Sequence, residues 1–343
     1  MRSPVGVAIT SETSPEELLG AVQAAEDLGF GEIWLPEDYF FTGGMVGAAA
    51  ALAATREIKV GLGIVSAMVR HPGLLAMELS TLSRLYPGRL IPGIGLGVPY
   101  WLGQMGLRPK SSLTAMRECV TQTRALLSGE TVTSHGQLFH FDNVKLVHPP
   151  TEQLPLYMGI VGPKMLALSG EIADGTVVGV TSSSEYLRWA RELINEGAAR
   201  AGREGSQHRI AAYAIFSMDD DSKRAKRAAR EQVAFYLGIM GVCGYTDAYG
   251  ISDEIRAMID EHGVDGLEPH VPEEWIDGLS ISGTADECAA GVNGFSMPAR
   301  TPCHCGSRAD PARDSCWSGS RATSCLTCTP ADRPPGLAAP RSP

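Results

Sequence analysis

The sequence predicts a (β/α)8 barrel, and three observations carry that expectation. Short apolar runs alternate with helical patterns along most of the chain, which is the grammar of repeated βα units. The runs are nearly continuous in apolar residues and glycine, as parallel strands covered on both faces require. The segment 156–179 writes one unit out in full. An apolar strand (Leu156-Tyr157-Met158-Gly159-Ile160) is followed by a glycine turn (Val161-Gly162-Pro163-Lys164), a helical run over 165–172, and a second apolar strand after Ala173-Asp174-Gly175. Repetition over roughly 250 residues is the span of a closed barrel. A doubly wound open sheet is the rival reading. Gly93-x-Gly95-x-Gly97 does not supply the dinucleotide fingerprint that rival would want. Its glycine spacing is wrong, and Pro99 and Trp101 follow where a helix should start.

Each element has its own signal. Strands are expected at 5–9, 32–35, 59–65, 90–96, 156–160, 176–180 and 210–218. The first helix opens on the capping box Ser14-Pro15-Glu16-Glu17, with proline at its first position, and stops at Gly29. An alanine-rich helix follows over 45–55. Pro72 opens the next, over 72–86, and further helices are read at 113–127, 184–201 and 222–237. The stretch 132–147 breaks the alternation and reads as a hairpin-like excursion. His135 and His140 in it are solvated hairpin residues whose spacing makes no zinc site.

The eighth strand is missing or replaced. Gly283-Thr284-Ala285-Asp286-Glu287-Cys288 starts a helix that should lead into it. From Phe295 onward, however, the chain has eight prolines, five cysteines, six arginines and no lysine. Such a composition buries no core and predicts disorder. The expected division is therefore a barrel domain over 1–293 and a disordered Pro/Cys/Arg-rich tail over 294–343. A translated out-of-frame sequence is one reading of that tail. No apolar framework surrounds its thiols, so no metal is assigned to them.

Composition excludes several functions. The net charge of −10 argues against a nucleic-acid or anionic-membrane partner. No apolar run approaches a membrane span, and the N-terminus has no signal-peptide core. The scattered Cys119, Cys243 and Cys288 fit a reducing compartment, so the chain reads as cytoplasmic.

Four stretches carry a resemblance. Residues 25–39 read Ala-Glu-Asp-Leu-Gly-Phe-Gly-Glu-Ile-Trp-Leu-Pro-Glu-Asp-Tyr. Residues 59–72 read Lys-Val-Gly-Leu-Gly-Ile-Val-Ser-Ala-Met-Val-Arg-His-Pro. Residues 88–97 read Gly-Arg-Leu-Ile-Pro-Gly-Ile-Gly-Leu-Gly, and Gly-Ile-Val-Gly-Pro-Lys at 159–164 precedes Gly-Glu-Ile-Ala-Asp-Gly at 170–175. Together, in this order and spacing over about residues 4–293, they resemble the luciferase-like flavin and deazaflavin oxidoreductases. The nearest likeness is to the coenzyme F420-dependent branch that includes methylenetetrahydromethanopterin reductase.

The resemblance implies a barrel of the luciferase-like type with its cofactor lying across the C-terminal strand ends. It puts a non-prolyl cis peptide and a bulge at Gly63, Ile64 and Val65, with Ser66, behind the cofactor ring. Gly97 lies nearby, and Gly159, Ile160, Val161, Gly162, Pro163 and Lys164 hold the phosphate-bearing arm, as a free helix start can. Glu37 and Asp38 end the second strand, where barrel enzymes place chemistry. Relatives usually have Asp-His there; this chain has Glu-Asp, so the histidine is replaced by Asp38. Some relatives carry an acid where this chain has Val98. His71 is expected to cap the helix that Pro72 opens, Arg70 to pair with an acid, and Asp174 to satisfy backbone.

The resulting expectation is an F420-dependent oxidoreductase that transfers a hydride between the deazaflavin and a small organic substrate. One alternative is an FMN-dependent monooxygenase on the same fold. The other is an inactive or accessory barrel, because a barrel without its last strand leaves two sheet edges. Barrels of this kind commonly pair into homodimers through helices.

Overall fold

The computed structural model describes residues 5–295 and 303–307. The barrel strands are β1 (Gly6–Ile9), β2 (Glu32–Leu35), β3 (Lys59–Leu62, continuing as Val65–Ser66), β4 (Leu90–Ile91, continuing as Gly93–Gly95), β5 (Tyr157–Gly159), β6 (Gly175–Val178) and β7 (Arg209–Met218). All neighbouring pairs are parallel. The pairings run β1 to β2 to β3, the lower halves of β3 and β4 pair, their upper halves pair, and β4 continues to β5, β6 and β7. Helices α1 (Pro15–Asp27), α2 (Gly44–Ala54), α3 (Pro72–Leu85), α4 (Ser112–Leu127), α5 (Pro163–Ile172), α6 (Ser184–Arg200) and α7 (Ser222–Met240) return the chain between strands. The parallel sheet and this alternation are the expected barrel architecture. None of the helices among the described residues is long and apolar enough to cross a membrane.

Two of the expected strand runs are interrupted. The third breaks at Gly63–Ile64, whose peptide bond is cis, at the position where the resemblance put a bulge and a cis bond. The fourth breaks at Pro92, which has no N–H for a ladder but whose carbonyl accepts from Tyr157 N at 2.8 Å. Both breaks let the chain bend while pairing resumes above them.

The barrel interior explains why its strands are rich in glycine. Trp34, Tyr157 and Tyr213 enter it from β2, β5 and β7, with the tyrosine ring centroids 6.0 and 6.2 Å from that of Trp34. A Cβ on Gly61 would lie 2.4 Å from the Trp34 ring, one on Gly63 1.7 Å from the Tyr213 hydroxyl, and one on Gly175 2.6 Å from the Tyr157 ring. Large rings and absent side chains are thus paired across the barrel, giving close packing in so narrow a cylinder. Glu32 closes the lower layer, accepting from Trp34 Nε1 at 3.2 Å and pairing with Arg209 at 3.2 Å.

The local signals hold where they rest on caps. Glu17 accepts from Ser14 N and Oγ. His71 Nδ1 accepts from Gly73 N at 3.1 Å and so caps α3. Asp174 accepts from Leu156 N and pairs with Arg124 and Arg203, the structural role expected of it. The excursion is a two-stranded antiparallel hairpin, Val132–His135 with His140–Val144. Its turn is fastened by Glu118 of α4, which accepts from the N–H groups of Gln137, Leu138 and Phe139. One expectation is corrected. A short helix, Pro99–Gln104, does start after the fourth strand, because proline is tolerated at a first helical position. The sequence reading also left 244–283 unassigned. There the chain forms helices Gly244–Tyr249, Ser252–His262 and Glu273–Leu279 and a short strand, Ser280–Gly283, paired with the upper half of β7.

The eighth position is filled by a replacement. After α8 (Ala285–Phe295), the backbone of β8 (Cys303–Ser307) pairs in parallel with both β7 and β1. Traced through the broken strands, the pairings therefore return to their start. The rest of the tail expected to be disordered, 296–302 and 308–343, lies outside the described residues.

Helices α5 and α6 touch backbone to backbone. A Cβ on Gly197 would sit 1.8 Å from Ala167 O, and one on Gly170 2.0 Å from Ile194 O. Gly197→Ala gains about 1 kcal/mol of helix propensity. It must also force two backbones apart, which costs more. A net loss of about 2 kcal/mol is expected, read as a lower urea midpoint at unchanged m-value.

Candidate active site

The C-terminal ends of β2, β3, β4 and β5 bring most of the expected residues together. After β2, adjacent side chains diverge. Glu37 turns outward to the helices and is buried. Its carboxylate accepts from Gly44 N, at the start of α2, at 3.0 Å. It also takes both arms of Arg70, at 2.5 and 2.8 Å. Arg70 reaches on to Glu78 of α3 at 3.2 Å. Glu37 is thus committed to an ion pair joining the β2–α2 and β3–α3 loops, and the expected acid partner of Arg70 is present twice over. Asp38 turns the other way. It accepts from Ser11 Oγ at 2.7 Å. Burial raises its pKa, against the Ser11 hydrogen bond, and the Glu12 charge adds to the rise. Its charge also acts on the Tyr213 hydroxyl.

The third-strand break lies beside them. Gly63 is bare because the Tyr213 hydroxyl occupies its Cβ direction, donating to Gly63 O at 3.4 Å. Ile64 lays its side chain across the strands, against Gly95 and Gly159. Val65 is fully buried. Ser66 Oγ donates to Leu96 O at 2.7 Å and accepts from Met68 N at 3.0 Å, so its hydroxyl ties β3 to β4. Gly97 has φ +91°, a left-handed conformation that favours glycine, and a Cβ there would lie 2.6 Å from Tyr39 Oη.

The segment after β5 is open by comparison. Ile160 is buried and Val161 O accepts from Tyr186 Oη at 2.8 Å, which fixes the backbone. Gly162 caps α5 without a side chain, Pro163 takes the first helical position, and nothing lies within 4 Å of the Gly162 Cβ direction. Lys164 is exposed. A helix start with no capping side chain and space above it suits a phosphate.

Three residues of this site escaped the sequence reading: Ser11, Tyr39 and Tyr213. Tyr39 is 8% exposed, and its hydroxyl has no hydrogen-bond partner among the described residues. The site's fit to a flat, phosphorylated cofactor rests on that orphaned hydroxyl and on the open helix start. The run Tyr39-Phe40-Phe41 was the available signal: Phe40 and Phe41 are exposed, and with Tyr39 they pack near Trp101. A cavity of about 380 Å³ opens at the other barrel mouth, lined by Asp174, Arg203 and His208 among others, and no candidate residue faces it.

Two outcomes follow for the carboxylates. Glu37→Gln leaves Arg70, whose side chain is 17% exposed, with Glu78 alone. A stability loss of about 1–3 kcal/mol is expected by chemical denaturation. A carboxyl whose folded pKa lies above its unfolded value stabilises the fold at low pH and loses that contribution as pH rises through the folded pKa. Asp38→Asn should therefore melt above the parent chain at neutral pH, with the gap closing as pH falls towards the ordinary carboxyl range. A gap that widened on acidification would contradict the assignment.

The chain is similar to known proteins over most of its length. The chain is 32% identical to the 5,10-methylenetetrahydromethanopterin reductase of Methanolobus tindarius, covering 78% of this chain and 83% of that one. It is 30% identical to the enzyme of the same name from Archaeoglobus fulgidus, over 89% and 94%. The solved coenzyme F420-dependent tetrahydromethanopterin reductase of Methanopyrus kandleri superposes with a TM-score of 0.76 at 27% identity, over 90% and 94%. The model of the luciferase-like monooxygenase family matches residues 2–297. By its fold and these matches, the chain belongs to the luciferase-like monooxygenase family.

Proposed function

We propose that this protein is an F420-dependent oxidoreductase acting on a small organic substrate. The observation that carries the reading is the likeness, over most of both chains, to a reductase whose cofactor is F420. It is joined to a strand-end site with an orphaned hydroxyl and an open helix start. Bound there, the deazaflavin supplies a ring carbon that gives or accepts a hydride.

The chain's own residues would divide the remaining work. The backbone of Gly63, Ile64, Val65 and Ser66 backs the ring, with Gly97 at its side. Gly159 through Lys164 receive the charged arm, where Lys164 and the first turn of α5 supply local positive potential on a chain of net charge −10. Asp38 is the carboxyl left free to face a ligand, since Glu37 is held by Arg70 and Gly44. In its protonated form Asp38 can donate to an acceptor; ionised, it accepts from a ring N–H or a hydroxyl. Glu37 acts at one remove, holding the loop that presents Asp38. The substrate lies over the mouth bordered by Val98, Phe40 and Trp101, surfaces that exclude water more than they bind charge.

The test is direct. Purified full-length protein should bind oxidised F420 saturably, followed by its fluorescence, with FMN at least tenfold weaker. Rapid coupled oxygen uptake with reduced FMN, together with no F420 binding, would replace the proposal with an FMN-dependent monooxygenase. Failure to bind either cofactor would favour the accessory-barrel reading.

A further inference from the structure

The Tyr39 hydroxyl is unusual among the polar groups of the strand-end site. It is buried, it sits over Gly97 at the top of β4, and it lies beside Ser66 at the top of β3. No described residue accepts its proton or donates to its oxygen. Ser66, the neighbouring hydroxyl, has its proton on Leu96 O and takes the Met68 N–H, so it is already engaged. The Glu37 carboxylate and Arg70 guanidinium nearby are occupied with each other. Burial raises the Tyr39 pKa, the charges of Glu37 and Asp38 add to the rise, and Ser66 and Arg70 offset part of it, so the group is a neutral O–H donor at physiological pH.

A buried hydroxyl without a partner is unfavourable, and native folds retain such groups where something else satisfies them. A tyrosine retained only for its ring would serve as well as phenylalanine. The neighbours of this ring are aromatic: Phe40 and Trp101 lie against it with centroids 6.3 and 6.1 Å away. Phe40 is 68% exposed and can be displaced with little loss of buried surface. Gly97 sits directly under the hydroxyl, with no side chain between it and the β4 backbone.

We propose that Tyr39 is a ligand-binding residue, whose hydroxyl donates a hydrogen bond to an acceptor oxygen or nitrogen on the bound deazaflavin. The inference rests on the reading that this site holds that cofactor. It adds a specific donor to the backbone contacts of β3 and β4, and it gives the site a means of preferring a ring that carries an acceptor at that edge. The donor is preorganised by its packing, so binding costs little additional side-chain entropy.

Tyr39→Phe tests the proposal with two readouts that move in opposite directions. Without ligand, the variant should melt at the parent temperature or roughly 1–3 °C above it, because an unsatisfied buried hydroxyl is removed. With ligand, its dissociation constant for F420, from fluorescence titration, should rise about five- to tenfold. Equal F420 affinity in parent and variant would overturn the inference and leave the cofactor reading standing. A lower melting temperature of the ligand-free variant would overturn it too, since it would mean the hydroxyl is satisfied within the fold. A parent chain that fails to bind F420 at all removes the cofactor reading and this inference with it.

Discussion

The barrel depends on fitting three large rings into its interior. Trp34, Tyr157 and Tyr213 occupy a cylinder too narrow for three aromatic side chains unless the strands facing them carry none. Gly61, Gly63 and Gly175 are the answer on β3 and β6. The consequence reaches the site. Because Tyr213 fills the space above Gly63, the third strand presents bare backbone where its ladder breaks, and Ile64 turns across to Gly95 and Gly159. The same substitution of rings for side chains that packs the core therefore leaves a smooth backbone ledge at the strand ends. A flat ligand needs such a ledge, and a strand of ordinary residues would not provide it.

A second constraint divides labour between two neighbouring acids. Glu37 and Asp38 are adjacent in sequence and face opposite environments. The first meets a guanidinium and a helix N-terminus, which satisfy both of its oxygens; the second meets one serine hydroxyl and an apolar, ring-lined interior. Environment, more than residue type, separates a carboxyl that holds loops together from one that keeps a titration of its own. Arg70 makes the division possible. By engaging both Glu37 and Glu78 it fixes the β3–α3 loop relative to α2, so the ledge and the Asp38 carboxyl keep their mutual position.

Much of the fold was legible in sequence because its signals are local. The Ser14–Glu17 box, His71 before Pro72, and continuous apolar runs each report a neighbour a few residues away. The break at Gly63 was legible only through the resemblance, which put a bulge and a cis bond there, and the break at Pro92 was not legible at all. Both residues sit inside runs of apolar residues, where periodicity alone does not show the interruption of the ladder. The same limit governs the site. Gly97 and the Gly159–Lys164 turn announce themselves by residue type. Ser11, Tyr39 and Tyr213 are ordinary in sequence and acquire meaning only when β1, β2 and β7 bring them beside β3. Glu37 is the converse case: the strand-end acid is plain in the sequence, and its partner, thirty-three positions away, is visible only in the fold.

The closing strand shows how far such a barrel tolerates a departure. A tail without an apolar pattern still supplies five residues whose backbone pairs with β1 on one side and β7 on the other. Pairing of this kind satisfies backbone groups and covers two sheet edges without requiring any particular side chains. The seam also lies away from the proposed cofactor ledge, which is built from β2 to β5; Ser11 after β1 and Tyr213 on β7 are the site residues nearest to it. A change of sequence beyond α8 therefore acts first on the stability of the closed sheet. It reaches the proposed ledge through Ser11 and Tyr213, the groups that meet Asp38 and Gly63. Strand closure and the proposed ligand binding are in this way separable properties of one sheet, coupled through two hydroxyls.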